Sequence, residues 1–559
     1  MLADLESIVA GDSEPGGDGV VLTRLAQRLV ARVPELCVLK TFYDGRESVP
    51  TSSIPQGQSA RALEVYKRFV SICPLNLAHA VADAVSDRQK PTGFRSVADT
   101  RTRATDADAQ WRKDGMPIRS RDMFSDVAIY GMAFALVSEA SMPSHVNVLS
   151  PWKAMAGAGG DNAIVYRYDM DALRESFTLY RVIRDDSGVV SNVYWRTAER
   201  DASDRTIPSE SDEEQIYRIA NNEDVARPPS LPNDFQWTGA ASSKGLEFAK
   251  TCGLNPVVCL SSRTGKGQFE PHLPLLSAID QQRFQRIVIQ EMQAFRQRAI
   301  SGDLPLYYTK EDEEVRLGLK SEGDEIDYSS MFEMSPAALW RLPKDAKMWE
   351  SSTTDTSQLT NSINDDVKKL AAVSGTPLDI LSPDVQGSAN GAELKREGLT
   401  FKVQDLNARA NEAFIAMMRM SLTIDGKASG EEDYFETTWQ PISTGSDLEQ
   451  SQSAAQVKGI LPVKTIMRNK LHMTEIDIAQ AEQDLTDTAF ANALSAEWAK
   501  LDAKTTAQSA PTLSDGVSTG SGVSGVVDSM PSDTVAQMSD SAGPESPLPS
   551  GLVTDGVEA

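Results

Sequence analysis

The nearest approach to a chemical motif in this chain is Thr264-Gly265-Lys266-Gly267, two glycines around a lysine that invite comparison with a phosphate-binding loop. Such a loop cradles its anion with backbone N–H groups, which requires a glycine five residues before the Gly-Lys pair and a Ser or Thr directly after it. Leu260 and Gly267 hold those places. The geometry for nucleotide binding is missing, and the stretch reads as a solvent loop. Two acidic runs, Glu311 to Glu314 and Glu322 to Asp327, offer the carboxylate oxygens that a divalent cation favours, but neither has the spacing of a calcium-binding loop. They read as solvated or partner-facing loops. Cys37, Cys73, Cys252 and Cys259 contain no CxxC pair, so free buried thiols are the expectation. His79, His145, His272 and His472 stand singly, which supports neither a zinc cluster nor a histidine-based triad. No catalytic residue, no metal-ligand set and no cofactor are predicted, and the chain is not read as an enzyme.

A different kind of site is suggested by Leu381-Ser382-Pro383-Asp384-Val385-Gln386-Gly387-Ser388-Ala389-Asn390-Gly391, a stretch poor in anchoring side chains and predicted to be mobile. Lys395 and Arg396 follow it in the first turns of a long helix. Two cations beside such a loop either touch phosphates or are plain exposed helix formers, and the residues leave both readings open.

Three helical segments must position that loop. Leu275 to Ile300 places Phe284, Val288, Met292, Phe295 and Ala299 at steps of three or four, one apolar stripe on one face. Its other faces carry Gln281, Gln282, Gln285, Gln290, Gln293 and Gln297 with Arg283, Arg286, Arg296 and Arg298. Such a face is either solvated or meets copies of itself, where amide and guanidinium groups pair across a wet interface. The second segment, Ser357 to Ser374, carries Leu359, Ile363, Val367, Leu370 and Val373 on one stripe and stops at Gly375 with Pro377 beyond, a strong helix-stop signature. The third, Gly391 to Ile424, shows Leu399, Val403, Leu406, Ala410, Ala413 and Met417 in a heptad-like seam. At about 1.5 Å per residue it would be roughly 50 Å long, and Gly398 inside it predicts a bend. An ordinary core helix gives the same stripe.

Elsewhere the chain reads as mixed α and β. Helices are expected at Leu22 to Leu36, Asn76 to Asp87 and from residue 117 into Gly131. A buried strand should follow at Met132 to Val137. A hairpin should turn at Asp185-Asp186-Ser187-Gly188 between Leu179–Ile183 and Val189–Trp195, and Leu254 to Ser261 is a further apolar strand. Residues 304 to 350 read as a small α/β lobe. With 559 residues the chain should hold several domains. Its formal net charge of -25 argues against a grip on nucleic acid and suits either simple solubility or a surface past which a polyanion slides. No signal pattern and no apolar run near the roughly 20 residues of a membrane span are present, so the expectation is a soluble protein made inside the cell. Residues 505 to 559 contain no Lys, Arg or aromatic residue and seven acidic ones, the composition of a disordered tail.

The order of these features resembles the portal proteins of tailed bacteriophages. The stretches that carry the resemblance are Thr41-Phe42-Tyr43-Asp44-Gly45-Arg46, Asn76 through Ala84 to Gly93-Phe94-Arg95, Trp111, and Asp126 to Val137 with Tyr130-Gly131. Gln293-Ala294-Phe295-Arg296-Gln297-Arg298, then Val373-Ser374-Gly375-Thr376-Pro377 and Ser388 to Ala392, complete the set. It covers most of residues 20 to 490, in order. The N-terminal leader and the tail have no clear counterpart.

The resemblance implies an α+β multidomain portal fold: a mixed α/β wing, long-helix stem, small α/β clip, helical crown and disordered C-terminal tail. Carried over, residues 1–19 are a flexible leader and 20–271 the N-terminal part of the wing. Residues 272–303 are the first stem helix, 304–350 the clip and 351–378 the second stem helix. Residues 379–392 are the tunnel loop, 393–449 the long helix and a strand returning to the wing at Tyr434 to Pro441, 450–504 the crown and 505–559 the tail. A dodecameric ring at the unique capsid vertex of the virion is implied, assembled in the host cytoplasm and passing double-stranded DNA during packaging and ejection. Its implied partners are further copies of itself, the terminase large subunit, the major capsid protein and scaffold, and head-tail adaptor proteins; no membrane is involved. The terminase, not this chain, hydrolyses ATP. Gln386, Ser388, Asn390, Lys395 and Arg396 would line the channel. Gln285, Arg286, Gln293 and Arg296 would form the stem interface between subunits, and Tyr307, Tyr308, Glu311 and Trp340 would face the terminase and adaptors from the clip. Two alternatives remain open: another structural head or adaptor protein without a DNA channel, and a metal-dependent nucleic-acid-processing enzyme.

Overall fold

In the computed structural model the chain is described from Ser7 to Gln508, except residues 10–11, 13, 48–59, 97–100, 140–143, 222–228, 295–297, 302–304, 328–346, 351–353, 383–388, 428–434, 443–451, 453, 470, 472 and 474. It divides into two units, Met1–Ala481 and Glu482–Ala559. In chain order the elements are α1 (Asp18–Tyr43), α2 (Ala60–Ile72), α3 (Leu77–Ser86), β1 (Pro91–Ser96), α4 (Arg101–Lys113), α5 (Met116–Tyr130), β2 (Met132–Val137), β3 (Val146–Leu149) and β4 (Ala154–Ala156). There follow β5 (Asn162–Asp169), β6 (Arg174–Arg184), β7 (Val190–Asp201), α6 (Glu213–Asn221), β8 (Gln236–Trp237), α7 (Glu247–Cys252), β9 (Val257–Ser261) and α8 (Leu273–Ala294). The remainder is β10 (Arg298–Ser301), α9 (Glu313–Arg316), β11 (Lys347–Glu350), α10 (Ser357–Ser374), α11 (Leu378–Leu381), α12 (Ala389–Ile424), β12 (Phe435–Trp439), α13 (Val463–Asn469) and α14 (Glu475–Gln508).

The larger unit is mixed α/β. A five-stranded antiparallel sheet runs β4-β5-β6-β7-β8, and a three-stranded one runs β3-β2-β9. The hairpin expected around Asp185–Gly188 joins β6 to β7. The Asp185 carboxylate accepts hydrogen bonds from the N–H groups of Ser187 and Val189, both at 2.9 Å, and Gly188 supplies the positive φ that the turn needs. The strand expected from Leu254 starts only at Val257, because the Asn255 side chain accepts the Val257 N–H at 2.9 Å and holds the preceding residues in a turn.

Among the described residues the two largest of four apolar clusters hold most of these layers together. In the first, one face of α1 (Leu22, Leu25, Leu29, Val33, Leu36) packs on Ile164, Phe177 and Leu179 of the five-stranded sheet and on Ile279 and Leu370 from α8 and α10. Burying a side chain of this size contributes about 1.5–3 kcal/mol. The helix runs past Pro34 and ends seven residues later than the sequence suggests, since tertiary burial outweighs the backbone hydrogen bond that proline removes. The second core surrounds α12: Leu399, Val403, Leu406, Ala410, Ala413 and Met417 are all buried among residues of α4, α5, β1 and β12. Phe414 sits 4.8 Å from Trp111 and 5.7 Å from Phe124, ring centre to ring centre. The heptad-like seam is therefore a core helix of its own subunit.

Several expected boundaries are corrected. Ser7, Ile8 and Val9 are buried, and Ile8 O accepts the Phe235 N–H at 3.2 Å, so part of the leader placed at 1–19 is a packed strap. Asp18 fastens its far end through Arg181 at 2.8 Å and Tyr194 at 2.8 Å. The first stem helix, placed at 272–303, ends at Ala294, because Arg298–Ser301 finds an antiparallel strand partner in Lys347–Glu350. Helix α14 continues through Gln508, so residues 505–508 of the tail placed at 505–559 are helical, and the rest lie outside the described residues. Leu63–Ser86 has the length and composition to cross a membrane. Pro74 interrupts it, however: α2 ends at Ile72 and α3 begins at Leu77. Cys37, Cys73 and Cys252 are buried free thiols, whereas Cys259 is exposed.

Candidate functional site

The glycine-rich stretch at 264–267 is used for packing. Gly131 and Gly267 allow two backbones to touch: a Cβ on Gly131 would lie 2.4 Å from Gly265 O, and one on Gly267 would lie 2.0 Å from Ile129 O. The Gly267 N–H, which a phosphate would need, is already donated to Glu270 Oε2 at 2.9 Å, and Lys266 pairs with the same carboxylate at 3.4 Å. Among the described residues no three His, Cys, Asp or Glu side chains gather where they could hold a metal ion.

The helices flanking the candidate loop are organised by their polar as well as their apolar faces. Helices α8 and α10 run antiparallel. Gln282 donates to Asp366 Oδ2 at 2.7 Å, Arg286 to Thr360 Oγ1 at 3.4 Å and Gln293 to Thr354 O at 2.8 Å, each step down one helix matching a step up the other. The same alignment passes into the strands, where Arg298 faces Glu350 and Ser301 faces Lys347. A helical hairpin thus continues as a β ribbon and carries the lobe of residues 305–327 beyond it. Of the four residues expected at a stem interface, Arg286 and Gln293 use hydrogen bonds within the chain, Gln285 is exposed, and Arg296 lies outside the described residues. Ile363, Val367 and Leu370 of the expected α10 stripe are buried, but Val373 is 59% exposed, because the buried face of the last turn runs through Ala371 and Ser374 and turns Val373 outward.

In the lobe, Tyr307 and Tyr308 diverge. Tyr307 is exposed and bridges to Glu325, while Tyr308 is turned inward and held by backbone hydrogen bonds with Asp324 and Gly323. Glu311 is exposed, and so are Leu306, Leu317 and Leu319 of the same lobe. Trp340 lies outside the described residues.

Around the loop itself, the tunnel segment placed at 379–392 is shorter than expected. Helix α11 occupies Leu378–Leu381 and α12 begins at Ala389. Gln386 and Ser388 fall outside the described residues, while Asn390, Lys395 and Arg396 lie on the first turns of α12. No local pattern singles out Lys402, which donates to Ser374 O at 2.5 Å and so caps the C-terminus of α10 from α12. A cation there meets the negative end of the helix dipole, and burial lowers the Lys402 pKa below its ordinary value. Gly375 adopts φ +62° in that cap, and a Cβ on Gly398 would stand 4.0 Å from its carbonyl oxygen. The C-terminus of α10 is in this way tied to α12 at Lys402.

No protein-family model matches the chain, and no curated protein does. Solved structures are similar at low identity. One is described as the virion of a native gene transfer agent particle (TM-score 0.37, 9% identity, covering 74% of this chain and 93% of that one). Another is the neck of an empty gene transfer agent particle computed with C6 symmetry (TM-score 0.37, 10% identity, 75% and 97%).

Proposed function

We propose that this chain is the subunit of a ring-shaped portal, with the α8–α10 hairpin and the first turns of α12 facing a central channel for double-stranded DNA. The observation that carries the reading is the antiparallel hairpin that leads from a mixed α/β body to a small lobe and returns to a long buried helix, to which Lys402 ties the end of α10. A body in which the two helices flanking a loop are tied together can present that loop at a fixed radius from a ring axis. Gln386, Ser388 and Asn390 are short and neutral, and with Lys395 and Arg396 they would contact DNA phosphates weakly and without base readout, as translocation requires. The strongly acidic chain would keep DNA from adhering elsewhere. On this reading the lobe, with Tyr307 and Glu311 on its surface, is the docking site for the packaging motor and later for adaptors, and the chain performs no chemistry of its own.

Negative-stain electron microscopy of the purified protein tests the ring. Closed rings with an opening wide enough for a duplex are expected, whereas compact particles without an opening favour a head or adaptor protein. Deletion of residues 385–390 should leave rings intact and impair packaging or retention of DNA. Normal packaged genome length in that variant removes the loop from the mechanism.

A further inference from the structure

Two carboxyl groups are buried together where α8 leaves the body. Glu47, just after α1, is 7% exposed, and Asp280 on α8 is 5% exposed. Asp280 Oδ1 accepts the Leu75 N–H at 3.2 Å from the connection between α2 and α3. One turn further along α8, Arg283 donates to Cys73 O and Pro74 O, both at 2.7 Å, so its guanidinium is engaged with backbone carbonyls of that same connection. Among the described residues the buried Glu47 Oε2 meets no donor. An ionised carboxylate in that place would lack the hydrogen bonds that make burial of its charge tolerable. A protonated one answers the problem by donating to the Asp280 carboxylate.

We propose that Glu47 and Asp280 share one proton and act as a proton-dependent clasp that fastens the root of α8 to α1 and to the connection between α2 and α3. The groups that bear on it are Asp280 and Arg283 from α8 and Cys73 from the end of α2, along with Glu47 itself. Burial first, then the charge of Asp280, push Glu47 up to about 8. Burial also raises Asp280, tempered by its hydrogen bonds with Glu47 and the Leu75 N–H and by the charge of Arg283. Both carboxyls bind protons more tightly in the closed clasp than when exposed, so opening it releases a proton. The clasp is therefore firm at low pH and weakens as pH rises toward 8, with the opening constant growing up to about tenfold per pH unit. Because α8 carries the lobe, the device sets how rigidly the lobe is held, whether or not copies of the chain form a ring.

Hydrogen exchange of the full chain, corrected for the intrinsic pH dependence, reads this at segments 70–82 and 273–285. Protection there should fall by one to two orders of magnitude between about pH 6 and 8, while protection of α12 residues 403–420 stays constant. Glu47→Gln, whose amide is neutral and still donates to Asp280, should abolish the pH dependence and keep the protection. Asp280→Asn should move the remaining dependence to lower pH, because Glu47 then loses its charged neighbour. Unchanged protection across this range in the wild type, or a full pH dependence retained in Glu47→Gln, overturns the proposal. Should Glu47→Gln fail to fold, an Asp280→Asn profile identical to the wild type overturns it as well.

Discussion

Helices α12 and α14 have nearly the same length, 36 and 34 residues, and opposite fates. From Leu399 onward α12 is wrapped by the body, its apolar stripe enclosed by aromatic rings and its C-terminus tied down by a buried polar network. There, Asp114 accepts the His145 N–H at 2.8 Å and the Ser421 hydroxyl at 2.6 Å, and Asp425 receives Lys113 at 2.6 Å and His145 Nε2 at 3.0 Å. In the unit that begins at Glu482, α14 leaves Leu485, Phe490 and Leu494 exposed at 54%, 69% and 47%. Apolar residues on a long helix thus do not by themselves say whether the same fold covers them. For α12 it does.

The contrast can be broken most forcefully at Phe414. It is fully buried, and replacement by Ala removes a ring that touches Trp111 and Phe124, so Phe414→Ala should cost about 3–5 kcal/mol in denaturant unfolding. A loss below about 1 kcal/mol would show that α12 is far less tightly held than its contacts indicate.

A smaller effect is expected in acid. Burial alone would raise the Asp425 pKa, but hydrogen bonds from Lys113 and His145 outweigh it and hold the carboxyl below its ordinary value. A group depressed on folding stabilises the native state above its unfolded pKa of about 3.9 and loses that contribution as pH falls through the folded value. Asp425→Asn should therefore flatten the acid limb of the stability profile below about pH 4, and an unaltered limb speaks against the pairing.

The smallest effect belongs to α14. Phe490→Ser should leave the unfolding free energy of the isolated chain within about 0.5 kcal/mol, since the side chain is mostly solvated. A large destabilisation would mean that the helix has a partner surface within its own chain.

How much of this was legible can be judged residue by residue. The limits of α10 were readable, because Gly375 and Pro377 act through local backbone chemistry. So was the β6–β7 turn, where Asp185 and Gly188 make a local hydrogen-bonded loop. Val373 was misplaced on the buried stripe, since the spacing allows either Val373 or Ser374 to continue it and only the packing puts Ser374 inside. The helix read from spacing runs to Ile300, yet Arg298–Ser301 pairs with a strand about fifty residues away in sequence, and no local signal reports a distant partner. The two tyrosines of the lobe look equivalent in the sequence, but only one faces solvent.

Sequence alone determined the amphipathic segments, their stop signals, the lack of a phosphate-loop pattern and the resemblance that orders them, since each depends on residues within a few positions of one another or on composition. Tertiary structure alone decided that the long seam is internal, that Gly267 permits backbone contact and not anion binding, that Lys402 ties α10 to α12, and that Glu47 and Asp280, 233 positions apart in the chain, are both buried. Those outcomes depend on which distant groups exclude water together, and burial, unlike helical periodicity, is a property of the assembled fold.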